Sequence, residues 1–374
     1  MFLDIKSVNE RWVAQRESLL HDTMVLVSQL DRECTDTLER FVGTLGLPDG
    51  REKIRLIKSP AFQRSMRRLN EVVLAAYDCS ASTKSVGVDT SQLRSSVSDL
   101  LTVFATDSAL SALPTVEWIR LVTGTTVAHF QAGGEYGIEL DDSIDEGIWT
   151  SVTQSALDLI RLSKVNYELI SNFVGYIVPL KRREVIQNLS FSTRELPNVI
   201  FKNNEGSALL FGEALVHEAD HQFFYALEEL YSFWVVEPRF QPAAYHSPWR
   251  DDSRPLDGIL RGLSAFTRVA DYYSHVATAS EPPLTEKAGA LLVQRVAECE
   301  DGAATLLEAN ELSGIGRQYV LELSSILRRA DGSVAGHELY PKWRANGVRV
   351  LDAHRERWRN SRIVDPSAIT RDHL

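Results

Sequence analysis

His217, Glu218, Ala219, Asp220 and His221 stand inside the run LLFGEALVHEADHQFFYALEEL. Two imidazoles four residues apart share one face of a helix and can grip a single metal ion, with a carboxyl group beside the first of them. The flanks predict that helix: Leu209, Leu210, Ala214, Leu215, Ala219, Phe223, Ala226, Leu227 and Leu230 recur at spacings of three and four, and no proline interrupts. Nine histidines in 374 residues give roughly 0.016 chance occurrences of the HExxH pattern. The plain alternative is two ordinary histidines on a packed helix.

Two imidazoles leave a first-row divalent ion short of ligands, so another segment must supply a third donor. A zinc ion so held would keep a position open for water, with Glu218 as the general base of a hydrolysis. With a carboxylate as third donor, the same pair makes the facial triad of a non-heme Fe(II) oxygenase, leaving positions for a 2-oxo acid and dioxygen. The motif fits both. Glu228 and Glu229 follow His221 by seven and eight residues, roughly 10 Å along the axis, too far to join it. Asp271 and His275 sit four apart on the next predicted helix, and Asp271 is the preferred ligand because it follows the apolar Val269 and Ala270. His246, Asp251 and Asp252, in the intervening segment, are further donors.

These groups need elements to position them. Helical stripes run through residues 5–47 (Ile5, Val8, Trp12, Leu19, Leu20, Met24, Val27, Leu30, then Leu38, Phe41, Val42 and Leu45) and 61–78. Small polar residues at 79–91 make a boundary or loop, and 92–123 reads as helical, with Pro114 starting a fresh helix. Alternation and glycines suggest a hairpin near 125–141, and 144–172 reads as one long helix with Asp145 and Glu146 at its start. Short β-rich runs at 173–180, 188–195 and 198–203 then feed into the HExxH helix. Beyond it, 245–255 reads as a loop, followed by helices over 255–279, 284–299, 303–311, 314–330 and 334–360. The expected fold is mainly α with a small β-sheet (α+β): a zincin-like arrangement of short strands packed on the HExxH helix, then a helical C-terminal part. Residues 1–124 form a helical N-terminal region and 125–374 the metal-binding catalytic domain.

The chain is 44% hydrophobic and 24% charged, which suits a globular protein with an ample core. A net charge of −11 with only short basic runs argues against a nucleic-acid partner. Cys34, Cys79 and Cys299 are far apart and odd in number, so no disulfide framework or zinc knuckle is indicated. The stretch MFLDIKSVNERWVAQ lacks the apolar core of a secretion signal, and no apolar run reaches the ~18 residues of a membrane span. A reduced, cytoplasmic setting without membrane attachment is expected.

The chain resembles the HExxH-type 2-oxoglutarate-dependent peptide β-hydroxylases of ribosomal peptide natural-product clusters. The resemblance rests on FSTRELPNVIF, ALVHEADHQ, SPWRDDSRPLDGILRG and AFTRVADYY in that order, spanning about 170–280, with HRERWR at 354–359 similar to the family's C-terminal helix. PWRDDxRPL is its specific part, since HExxH recurs in unrelated metalloproteases. It implies His217 and His221 as Fe(II) ligands with Glu218 beside them, and Arg250 or Arg254 as the group that holds the 2-oxoglutarate carboxylate, a task suited to a bidentate guanidinium. A structural use of these arginines is the competing reading: PWRDD can fold into a buried Arg–Asp network that pins its own loop. Two positions depart from the family: Asn198 follows Pro197 where the family has Gly, and Arg261 precedes Gly262 where members often carry His or Gln.

Three functions follow as expectations. The first is an Fe(II)- and 2-oxoglutarate-dependent oxygenase that hydroxylates a side-chain β-carbon of a ribosomally synthesised precursor peptide. The second is a zincin-type zinc metallopeptidase with Glu218 as base. The third is a non-catalytic module that presents a peptide to another enzyme. The N-terminal helices could serve leader recognition or a homodimer contact, and their stripes are equally explained by their own core.

Overall fold

A computed structural model of the chain describes residues 4–30, 62–63, 65–69, 71–73, 113–124, 139–181, 188–235 and 244–364. They are mainly helical with one small mixed sheet, as expected. The chain divides into two compact units, one of Met1–Ile5, Ser151–Asn172 and Glu205–Leu374, the other of Lys6–Thr150 and Phe173–Asn204. No helix among the described residues is long and apolar enough to cross a membrane.

The second unit holds helix α1 (Ile5–Leu30) and a five-stranded sheet of β1 (Thr115–Val116), β2 (Ile119–Leu121), β3 (Tyr176–Pro179), β4 (Ser190–Phe191) and β5 (Val199–Lys202) in the order β1-β2-β3-β5-β4. The central strands β3 and β5 are parallel, and every residue of both is buried. Strands covered on both faces favour continuous apolar runs, as in YIVP and the VIF of VIFK, and the buried Lys202 that ends β5 donates to Asn188 Oδ1 (2.8 Å) and the Asn203 carbonyl (2.7 Å). Val122, Tyr176, Val178, Leu180, Leu196, Val199 and Phe201 make one cluster of this core. The chain enters β5 through Asn198, whose φ of 63° lies in the left-handed region. Its carbonyl accepts from the N–H groups of Gly175 (2.9 Å) and Tyr176 (3.0 Å) at the mouth of β3. That backbone explains the glycine of the resembling family at this position, and asparagine is the side chain that tolerates it best after glycine.

Several expectations are corrected. Residues 113–123 are not helical but form β1 and β2: after Pro114 the β-branched Thr115, Val116, Ile119 and Val122 favour extended backbone, and Glu117 turns the chain at φ 57°. The long helix over 144–172 is two, α2 (Glu146–Ile160) and α3 (Lys164–Phe173), because the Ser163 hydroxyl accepts from Asn166 N–H (3.3 Å) and starts the second. Residues 245–254 are a hairpin, β6 (Tyr245–Ser247) with β7 (Arg250–Arg254), turning through Pro248 and Trp249. The described part of α1 and the helical residues among 62–73 agree with expectation, whereas 31–47, the hairpin at 125–138 and the whole 79–112 stretch lie outside the described residues.

The first unit contains α3, the motif helix α4 (Ala208–Leu230), α5 (Leu256–Ala279), α6 (Leu284–Glu308), α7 (Gly314–Val334) and α8 (Tyr340–Val364). Helix α5 is its hub, packed against α4, α6 and α7. Its Leu256, Ile259, Leu260, Leu263, Val269, Tyr272, Tyr273 and Val276 are buried over more than one face, as a central helix requires. The expected break between 299 and 303 is absent: Gly302 stays within α6 because the indole of Trp249 occupies the space a Cβ would need, 2.8 Å away. Gly262 on α5 admits the same indole at 2.7 Å.

If the left-handed backbone at residue 198 governs the junction, Asn198→Gly will leave the urea unfolding midpoint nearly unchanged. Asn198→Val should cost about 1–2 kcal/mol of stability. Equal midpoints for the two variants would contradict the conformational reading.

Candidate metal centre

Helix α4 begins at Ser207, whose hydroxyl accepts from Leu210 N–H, and carries the motif in its middle turns. The expected geometry is present: His217 Nε2 and His221 Nε2 are 3.0 Å apart, with the rings nearly perpendicular at 88°. Both rings are half-buried, so the pair reaches solvent. In the absence of an ion the same contact is a hydrogen bond from one Nε2–H to the other nitrogen. Burial, then the neighbouring His221, then Arg295 hold His217 well below the usual imidazole range. Burial and then Arg261 bring His221 down to about 4. At neutral pH both imidazoles are uncharged and carry a lone pair, the state in which a histidine binds metal.

Asp220, between the two histidines in sequence, anchors the helix. It is fully buried, and its Oδ2 accepts from Ser264 Oγ at 2.5 Å. Because that hydroxyl hydrogen is committed, Tyr319 Oη donates to Ser264 Oγ across 2.6 Å. Arg268, 2% exposed, sets its Nε 3.4 Å from Asp220 Oδ1. Burial raises the Asp220 carboxyl to about 6, against the opposing pull of Arg268 and Ser264. One acid thereby ties α4 to α5 and α7.

The neighbours of the pair are aromatic and cationic. Phe266 of α5 lies 4.5 Å from the His217 ring and stacks on Trp249 of the hairpin, with centroids 5.1 Å apart. The Arg295 guanidinium sits 4.8 Å over Phe266 and is held by Glu298 (2.6 Å) and Glu213 (3.3 Å). Arg261 is paired with Glu228 (3.2 Å) and Asp257 (3.1 Å). Arg261 stands out in the sequence as a departure from the resembling family, whereas Phe266 and Arg295 do not. A signal existed for the last: Glu213 falls one turn before His217 on the same stripe, and Arg295 interrupts the apolar run ALLVQRVA.

The other expected site residues have partners of their own or are buried. Asp271 Oδ2 accepts from Ser163 Oγ and Asn166 Nδ2, both at 3.0 Å, and its Oδ1 is 3.8 Å from His275 Nε2. It follows Phe266 by five residues, a rotation of about 140° on a helix, so it meets α3 while Phe266 meets His217. Arg250 and Arg254 both hold Asp252, at 3.1 and 2.8 Å on β7. Burial would raise the Asp252 carboxyl, yet the two guanidiniums keep it below the usual range. These pairs lie at the surface, with Arg250 61% and Asp252 56% exposed, so the buried network of the competing reading is not what forms. Glu218 is buried at 3% exposure.

Does this set suit an ion? At metal–nitrogen distances of about 2.1 Å, adjacent octahedral positions put two nitrogens about 3.0 Å apart and tetrahedral ones about 3.4 Å. The observed 3.0 Å matches the first, so two donor positions fit. Among the described residues, no third His, Cys, Asp or Glu gathers with them. His221 Nδ1 is buried without a hydrogen-bond partner, where a metal-bound imidazole ordinarily donates its second N–H. No protein-family model matches the chain, and no curated protein does.

The anchor is testable apart from any ligand. Asp220→Ala leaves Arg268 as a buried charge without its carboxylate, and should cost about 3–5 kcal/mol in chemical denaturation. A loss below about 1 kcal/mol would show that Asp220 does not fix the motif helix.

Proposed function

We propose that the chain is an Fe(II)- and 2-oxoglutarate-dependent oxygenase that hydroxylates a side-chain β-carbon of a ribosomally synthesised peptide in the cytoplasm. The observation that carries the reading is the pair of uncharged imidazoles whose Nε2 atoms meet at 3.0 Å on the solvent-reachable side of α4. The ordered resemblance through PWRDDxRPL supports the choice of substrate. When bound, iron with the oxo acid and dioxygen supplies an oxidant for a C–H bond, releasing succinate and carbon dioxide. His217 and His221 hold the ion, and the Asp220 anchor fixes the direction in which both rings point. Phe266 and Trp249 form an apolar wall beside His217 that keeps water from one side of the site. Arg261, held by Glu228 and Asp257, is the guanidinium beside His221. Arg250 and Arg254 remain the groups proposed to meet the 2-oxoglutarate carboxylate, in competition with Asp252.

The zinc-peptidase alternative would use the same two imidazoles, with Glu218 as base. A metal-free peptide-presenting module is the second reading, favoured by the missing third donor among the described residues. Anaerobic loading with Fe(II), followed by 2-oxoglutarate, precursor peptide and air, should yield succinate and a peptide one oxygen heavier. His217→Ala should abolish both. Unmodified peptide and no succinate from the iron-loaded protein would overturn the proposal, and peptide binding that survives His217→Ala would then favour the presenting module.

A further inference from the structure

The second unit holds a cavity of about 140 Å³ between α1 and the helical residues among 62–73. Phe62 and Met66, one helical turn apart and both buried, make its apolar floor, and Leu19 of α1 adds to it. Arg16, one turn before Leu19, brings a guanidinium to the cavity, lying 5.3 Å over the ring of Trp12. Gln63, Arg67 and Glu71 recur every four residues and so share the face that lines it.

Arg67 and Glu71 have the spacing of a helical ion pair, but they do not form one. Arg67 reaches Glu195 instead, 3.1 Å away in the segment between β4 and β5. Among the described residues Glu71 is therefore left with neither an ion pair nor a hydrogen bond. With Arg67 matched by Glu195, the cavity keeps one further cation, Arg16, and one anion, Glu71.

Size and charge together narrow the ligand. An apolar cavity of about 150 Å³ takes a benzene ring, so this one suits a side chain of about four to seven heavy atoms. A purely anionic ligand would meet Glu71, and a purely cationic one would meet Arg16. A zwitterion satisfies both. A guanidinium offers several N–H donors in a planar fork, so Arg16 can take a carboxylate while keeping its other contacts.

We propose that this cavity binds a free apolar α-amino acid of the size of leucine or phenylalanine, with its side chain on Phe62, Met66 and Leu19, its carboxylate on Arg16 and its ammonium group on Glu71. All of these residues belong to the second unit, and the proposal stands independently of the function assigned to His217 and His221.

The test is isothermal calorimetry on the full chain with L-leucine, L-phenylalanine and two derivatives: leucinamide, which lacks the carboxylate, and N-acetyl-leucine, which lacks the ammonium group. One equivalent of either free amino acid should bind, and each derivative should bind about tenfold more weakly than leucine. Glu71→Gln should weaken leucine about tenfold and leave N-acetyl-leucine unchanged, a selectivity that a merely structural role for Glu71 would not produce. Arg16→Gln should weaken leucine and leave leucinamide unchanged. If Arg16→Gln does not fold, the comparison in Glu71→Gln decides alone, because Glu71 is exposed. No saturable heat from either amino acid, N-acetyl-leucine bound as tightly as leucine, or leucine binding untouched by Glu71→Gln would overturn the site.

Discussion

The geometry of the motif follows from one buried carboxylate. Asp220 is fixed by Ser264, Tyr319 and Arg268, so the rotation of α4 about its own axis is set by α5 and α7. On a helix His217 and His221 stand about 60° and 100° round from Asp220. With the acid turned into the core, both imidazoles therefore emerge together on the flank, half-buried and facing each other. A different residue between the histidines would leave the same two rings in sequence and no reason for them to point out of the helical core.

Charge around the pair is compensated. Two guanidiniums help keep the imidazoles neutral, and each is matched by two carboxylates, Glu213 and Glu298 for Arg295, Glu228 and Asp257 for Arg261. Four carboxylates against two guanidiniums leave no surplus of positive charge around the pair, so a cation brought to the imidazoles is not repelled by their surroundings.

What was legible in the sequence depended on how local its physics is. The HExxH helix, α5 and the buried strands β3 and β5 were readable because their apolar periodicity and the caps at Ser207 and Pro255 are short-range signals. The strands at 115–121 were missed because Pro114 reads equally as a helix start or a strand boundary, and the β-branched residues that follow decide it. Gly302 suggested a helix end, yet it is kept for the indole of Trp249, a contact 53 residues distant in sequence. Asp271 was chosen as a ligand from its apolar neighbours alone. It is half-buried and meets Ser163 and Asn166, because which helix a carboxylate meets is fixed by tertiary packing. Proximity of Arg295 to His217 is of the same kind and is invisible to spacing.

The central claim, that two neutral imidazoles on α4 hold one iron ion together with an oxo acid, is most directly tested by visible spectroscopy. Fe(II) is titrated anaerobically into chelator-stripped protein in the presence of 2-oxoglutarate. The account predicts a metal-to-ligand charge-transfer band that saturates at one equivalent and disappears in the His221→Gln variant. An absorption spectrum that stays flat through that equivalent, or a band indifferent to the loss of His221, would contradict it.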